Sequence, residues 1–216
     1  MTIVSLLATT VLFGWRIASS AWQKASIHLE RSRTVLETER LLQEQMASMV
    51  PYRVPLPAGG SELFFEGEPQ AARFLSRYSL AGRASSGLYR IEYQIADGTN
   101  GAKELLMNEF PVTSREELGG LFAGTDDSSG VAIRRFVPFE RGPQTVVLLA
   151  GLTECHFEYY SPPLPTEPRS WSSQWTSSNG DLPRGMAIRV ETPADTGNVQ
   201  MVSVVASVRN YSLRRQ

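Results

Sequence analysis

The sequence predicts an α+β fold, one long amino-terminal α-helix packed on antiparallel β-sheets. Three observations predict it. Apolar residues return at helical spacing from Val4 to Leu29, and no proline occurs before Pro51. Beyond Pro51, short runs alternate apolar and polar side chains with period two, as strands with one buried face do. Strands do not alternate with helices as they would in a doubly wound sheet, so antiparallel pairing is expected.

The helix comes first. Val4, Leu7, Val11, Trp15, Ala18, Trp22, Ala25 and Leu29 share one face, and Arg16 is the first charge. After Ile27 the signs of Glu30, Arg31, Arg33, Glu37, Glu39, Arg40 and Glu44 are mixed. Leu29, Leu36, Leu42, Met46 and Met49 supply a narrow apolar stripe beside them. Val50-Pro51 is expected to end the helix, because a residue before proline is pushed out of the helical region. The division is then a helix over 1–50 and a β-rich domain over 51–216. Within the helix, 1–25 reads as a membrane or filament-core part and 26–50 as an amphipathic part.

A cleaved signal peptide fits poorly, because the chain starts without a positive charge and the helical phase runs straight through Ala18-Ser19-Ser20-Ala21. The apolar run rises about 24 Å from Met1 to Arg16, against roughly 30 Å of hydrocarbon. It is either a buried helix or the outer part of an anchor that begins ahead of Met1. Trp15 and Trp22 suit an interfacial belt or packing on the domain. Arg16, Lys24, Arg31 and Arg33 follow the apolar run, which by the positive-inside tendency would face the domain to the cytoplasm. Charges ahead of Met1 would cancel that inference.

The domain opens with a loop, Val54 to Gly60. Leu63 to Glu66 and Ala72 to Ser76 are short strands. In Leu88 to Ile95, Tyr89, Ile91, Tyr93 and Ile95 alternate with Arg90, Glu92 and Gln94, predicting one buried and one wet face. Asp97-Gly98 marks a turn. Further strands are expected at Lys103 to Phe110, Val131 to Val137, Gln144 to Leu149, Cys155 to Tyr160, Met186 to Glu191 and Val199 to Val208. Arg115 to Phe122 reads as a short helix or a loop. Ser161 to Pro183, with five prolines, is the longest irregular stretch. Its Trp171 and Trp175 are expected either to pin it to the sheet or to face a partner.

Chemistry is hard to find. A net charge of -1 argues against general nucleic-acid binding, and 42% hydrophobic residues argue against wholesale disorder. The single cysteine, Cys155, excludes an internal disulfide and reads as a half-buried strand residue. Of the two histidines, His28 lies on the helix and His156 follows Cys155, where strand neighbours point to opposite faces. No nucleophile elbow, phosphate-binding loop, dinucleotide fingerprint or paired-cysteine motif occurs. Asp126 and Asp127, beside Gly124 and Gly130, offer oxygen ligands but lack the spaced carboxylates of a calcium loop, so a solvated turn is expected. The reading is no enzyme, no cofactor, no nucleic acid and no small-molecule substrate.

Several segments together resemble a known family. They are the apolar-to-charged helix Leu6 to Met49, the run Phe65-Glu66-Gly67-Glu68-Pro69-Gln70-Ala71-Ala72-Arg73-Phe74-Leu75-Ser76, and Gly87-Leu88-Tyr89-Arg90-Ile91-Glu92-Tyr93. Then Leu152, Phe157, Tyr159 and Tyr160 lead to Trp171 and Trp175, followed by Leu182-Pro183-Arg184-Gly185-Met186-Ala187-Ile188. That order is similar to the minor pseudopilin J family of type II secretion, within the type IV pilin-like proteins. The family's basic leader and Gly-Phe-Thr-Leu-x-Glu cleavage motif are not in this sequence, and Met1 resembles a residue inside the family's apolar helix. The true start is therefore expected upstream.

The resemblance implies a structural subunit of a type II protein secretion system, at the tip of a pseudopilus that helps export folded proteins. It implies a bacterial inner-membrane protein, single-pass, with the globular domain in the periplasm and I- and K-type pseudopilins as partners. The expected helix-packing interface is Val4, Leu7, Ala8, Val11, Gly14, Trp15, Ala18 and Trp22, where small and apolar residues suit close helix contact. Trp171 and Trp175 mark a possible partner-facing loop. The alternative is a minor pilin of a type IV pilus, serving adhesion, DNA uptake or pilus priming.

Overall fold

Alternating side chains set the strands of this α+β protein, and the pairing of those strands sets everything else. The computed structural model describes residues 15, 16, 19, 22, 36–56, 59–80, 87–98, 101–126, 133–161, 170–175, 181–193 and 199–207. The chain divides into two units, Met1–Glu39 and Arg40–Gln216. In the first, Trp15, Arg16, Ser19 and Trp22 are helical, the Ser19 hydroxyl donates to the Arg16 carbonyl at 3.2 Å, and both tryptophans are exposed. Val4, Leu7, Ala8, Val11, Gly14 and Ala18 lie outside the described residues, as does the predicted membrane run. Among the described residues, no helix is long and apolar enough to cross a membrane.

Helix α1 covers residues 36–47. Its end comes earlier than the proline predicts. Ser48 turns, and Met49 forms an antiparallel bridge to Ser76. The amide of Val50 donates to the Leu75 carbonyl at 2.8 Å, and that of Arg77 to the Ser48 carbonyl at 3.2 Å. The chain thus leaves α1 by joining a sheet, which satisfies backbone groups that a longer helix would leave to solvent.

The strands are β1 (Arg53–Pro55), β2 (Ser61–Leu63), β3 (Phe65–Gly67), β4 (Ala71–Ser76), β5 (Tyr89–Asp97), β6 (Lys103–Pro111), β7 (Phe122–Asp126) and β8 (Ile133–Phe136). They continue as β9 (Val146–Leu152), β10 (Glu154–Ser161), β11 (Ser170–Ser172), β12 (Gly185–Pro193) and β13 (Val199–Ser207). A five-stranded sheet runs β3-β4-β5-β6-β9 and a four-stranded sheet β11-β10-β12-β13, with β1-β2 and β7-β8 as two-stranded pairs. Every pairing is antiparallel.

The main core lies where the two larger sheets face each other. Phe65, Phe74, Ile91, Tyr93, Ile95, Leu105 and Met107 come from one sheet. Cys155, Phe157, Tyr159, Met186, Ile188 and Val190 come from the other, and Leu41, Leu42, Met46 and Met49 close the cluster. Each large apolar side chain so buried contributes roughly 1.5–3 kcal/mol. Buried Gln45 ties this part of α1 to the sheet. Its backbone carbonyl accepts from the Ser76 hydroxyl at 2.9 Å, its side-chain amide donates to Glu109 at 3.2 Å, and its side-chain oxygen accepts from the Tyr93 hydroxyl.

Three expectations need correction. Val54, read as loop, lies in β1 and is fully buried. The irregular stretch after Ser161 contains β11, and Trp175 forms an antiparallel bridge to Gly67. Most important, the face of β5 read as wet is covered: Arg90 and Glu92 are buried, with Arg73 and Asn108 beside them. A second core of Val54, Phe64, Leu75, Leu118 and Phe136 forms on that face, under β7-β8 and the short helix α2 (Arg115–Gly119). The Ser114 side chain caps α2 by accepting from the Glu117 amide at 3.1 Å, and Glu116 and Glu117 suit its first turn.

Candidate functional site

Two surfaces of the β-domain carry features that packing alone does not require. The first is a row of polar residues across the covered face of the five-stranded sheet. Strand register places Glu66 opposite Arg73, Arg73 opposite Glu92, and Glu92 opposite Asn108, so β3, β4, β5 and β6 each contribute one. Directly opposed residues are close enough to interact. Arg73 Nη1 lies 3.3 Å from Glu66, and Arg73 Nε 3.0 Å from Glu92 Oε1. Arg90 Nε lies 3.0 Å from that same Glu92 oxygen and Arg90 Nη1 3.5 Å from Glu117 of α2.

These contacts are ion pairs without hydrogen-bond alignment at Arg73 Nε, Arg73 Nη1 and Arg90 Nε. The aligned bond of Arg73 runs from Nη2 to the Val137 carbonyl at 3.0 Å, just beyond β8. Its guanidinium also lies 5.1 Å from the ring centre of Phe136, and that of Arg90 4.2 Å from Phe110. Beside the row opens a cleft of about 440 Å³, lined among others by Glu66, Glu68, Arg73, Glu92, Arg135 and Phe136. Burial pushes the Glu66 carboxyl up to about 7. Arg73 and Arg135 draw it back down, while Glu68 and Glu92 add to the rise. Burial also lowers the pKa of Arg90, against the pull of Glu92 and Glu117.

The second surface is the edge of the four-stranded sheet. Trp171 on β11 is 39% exposed and stacks on Tyr160 with ring centres 5.2 Å apart. Trp175 is half-buried, its backbone amide donating to the Gly67 carbonyl at 2.8 Å and its indole to the Asp181 carbonyl at 3.1 Å. The two tryptophans are therefore placed differently, one outward on an edge and one in the joint between sheets. Val205 on β13 and Val146 and Val147 on β9 are also exposed, at the free edges of their sheets.

Of the remaining predicted positions, Asp126 ends β7 and Asp127 lies outside the described residues. Among the described residues, no group of three or more His, Cys, Asp or Glu converges as metal ligands do. Cys155 faces the core, with its thiol pushed up to about 12 by burial, while His156 is half-exposed and 3.5 Å from Glu158. Glu158 in turn pairs with Arg189 at 2.9 Å. Sequence reasoning missed the Glu66–Arg73–Glu92 row. Its trace was one charged residue in each of β3 and β4 and Glu92 among the polar positions of β5, but register, and hence their alignment, is a tertiary fact.

The order of aromatic β10, tryptophan-bearing β11, Leu182-Pro183 and β12 is thus built into one sheet, and a comparison with known families gives that order a meaning. The family model of type II secretion system protein J matches residues 16–205. The chain belongs to the protein J family of type II secretion. No curated protein matches it. Protein J is a pseudopilin, a structural component of the secretion system rather than a member of an enzyme family. The match takes in the charged row, the tryptophan edge and exposed Trp22 near the start of its span.

Proposed function

We propose that this chain is a minor pseudopilin that assembles at the tip of the pseudopilus and helps export folded proteins. The match to protein J over residues 16–205 carries this reading. In it, residues 1–50 carry one long helix that ends at residue 47, with 1–25 in the inner membrane or filament core, and residues 51–216 form the periplasmic domain. Val4, Leu7, Ala8, Val11, Gly14, Trp15, Ala18 and Trp22 pack against the helices of I- and K-type pseudopilins. Exposed Trp15 and Trp22 support that assignment, since large apolar side chains left in water are commonly covered by a partner. Exposed Val146 and Val147 on edge strand β9 and Trp171 on edge strand β11 support further contacts between domains.

The test uses the full-length protein, co-expressed with the I- and K-type pseudopilins of its own host and extracted in detergent. Co-purification of all three, weakened by Gly14→Leu and Trp22→Ala, is the expected result. Deletion of the gene is expected to leave exported proteins in the periplasm. Normal export from the deletion strain, together with loss of pilus-dependent adhesion or DNA uptake, would replace this reading with that of a type IV minor pilin.

A further inference from the structure

A strand at the rim of a sheet carries N–H and C=O groups on its outer side that no neighbouring strand takes up. Folds commonly blunt such edges with short strands, bulges, prolines, charges or a covering segment. The two larger sheets have four edges, β3 and β9 on one, β11 and β13 on the other. Three of them are blunted. β3 and β11 are three residues each, and Trp175 bridges onto Gly67 at the end of β3. β9 pairs with β6 through two register shifts, and Gly151, inside one of them, has a φ of 71°.

β13 has none of these devices. It is nine residues long, and its register with β12 is unbroken from Gly185 opposite Ser207 to Pro193 opposite Val199. Its sequence, Val-Gln-Met-Val-Ser-Val-Val-Ala-Ser, has four valines and no charge, proline or glycine. Among the described residues β13 pairs with β12 alone, and Val205 is 48% exposed. In an antiparallel edge strand, alternate residues turn their N–H and C=O outward, here along about 30 Å.

We propose that the outer edge of β13 pairs antiparallel with β13 of a second copy of this chain, about a two-fold axis at Ser203. Unpaired main-chain groups in this spacing are matched by another extended strand. β13 is itself such a strand, rich in β-branched residues, and without charge two copies meet with no like charges opposed. The residues at its ends favour the antiparallel sense. Asp195 stands four positions before β13 and Arg209 two positions after it. Antiparallel pairing sets the acidic approach of one copy against the basic exit of the other, at both ends. Parallel pairing would set like charge against like. The contact is isologous, so it closes as a dimer and leaves no free β13 edge for further growth.

Sedimentation equilibrium of the full-length protein, in a solvent matched to the density of the detergent, tests the pairing. A dimer that dissociates on dilution is expected. Trp22→Ala should leave it intact, and Val205→Lys should reduce it to monomer by putting a charge on the edge. Asp195→Arg should weaken the dimer severalfold, and Arg209→Asp added to it should restore the affinity. Ser203→Cys should cross-link to its own copy under mild oxidation, because Cys155 is buried, whereas Ser170→Cys on β11 should not. A monomer at every concentration, a dimer that survives Val205→Lys, or equal cross-linking from β11 overturns the proposal. So does cross-linking of Ser203→Cys to a co-expressed I- or K-type pseudopilin in place of its own copy, which assigns the edge to a different strand. Should Val205→Lys not fold, the Ser203→Cys cross-link in the otherwise native chain decides it.

Discussion

Glu66 shows how one side chain can make stability depend on pH. A carboxyl whose folded pKa lies above its unfolded value holds its proton more tightly in the folded state. Its stabilising effect is complete below about 4.5 and is lost as pH rises to about 7. A shift of that size corresponds to about 3 kcal/mol, an order-of-magnitude figure for a group so little exposed. Urea unfolding of the native protein over this pH range should show the decline, and Glu66→Gln should flatten it. In the sequence that residue ends the short predicted strand Leu63 to Glu66 and falls in the run that carries the family resemblance. Its chemistry became legible once register had placed it beside Arg73, and Arg73 beside Glu92.

At the scale of elements, the joint between the two larger sheets rests on very little room. Gly67 ends β3 where Trp175 bridges to it, and a Cβ there would lie 2.7 Å from Trp175 Cβ and 2.9 Å from the Phe65 ring. Nearby, the Phe157 amide donates to the Pro69 carbonyl at 2.9 Å, and the Tyr159 hydroxyl donates to the carbonyls of Glu68 and Ala71 at 3.0 and 3.2 Å. Gly67→Ala is expected to cost about 1–3 kcal/mol, as overpacking does, and to shift Trp175 fluorescence toward that of a solvated indole. Unchanged stability with unchanged emission would mean that the joint tolerates the methyl group. The strands themselves were largely readable: β5, β6, β10 and β12 lie where alternation puts them, within a few residues. β1, β7 and β11 were not, because three- to five-residue strands carry too few side chains to show a period.

For the β-domain as a whole, the main core is a single cluster drawn from α1 and both larger sheets, and Cys155 reports on it. Its thiol is buried and pushed up to about 12, so little thiolate forms at neutral pH and reagents cannot reach it. Labelling by a thiol reagent is expected to be slow in the native protein and to accelerate in parallel with global unfolding as urea is added. Fast labelling without urea would show that the two sheets part locally. The family relation extends over most of the chain and was visible in the order of its aromatic and proline landmarks. Most of the first half of the predicted long helix lies outside the described residues.

The sequence by itself determined the α+β class, which strands exist where runs are long, which side chains point together, and the family to which the chain belongs. Period two records the direction of each side chain relative to its neighbours, and that is a local property of the backbone. Only the tertiary structure decided that the polar face of β5 is buried, that Glu66, Arg73 and Glu92 form one row, and that α1 ends by joining a sheet. These follow from which elements cover which face and from strand register, and both are set by contacts between residues far apart in the chain.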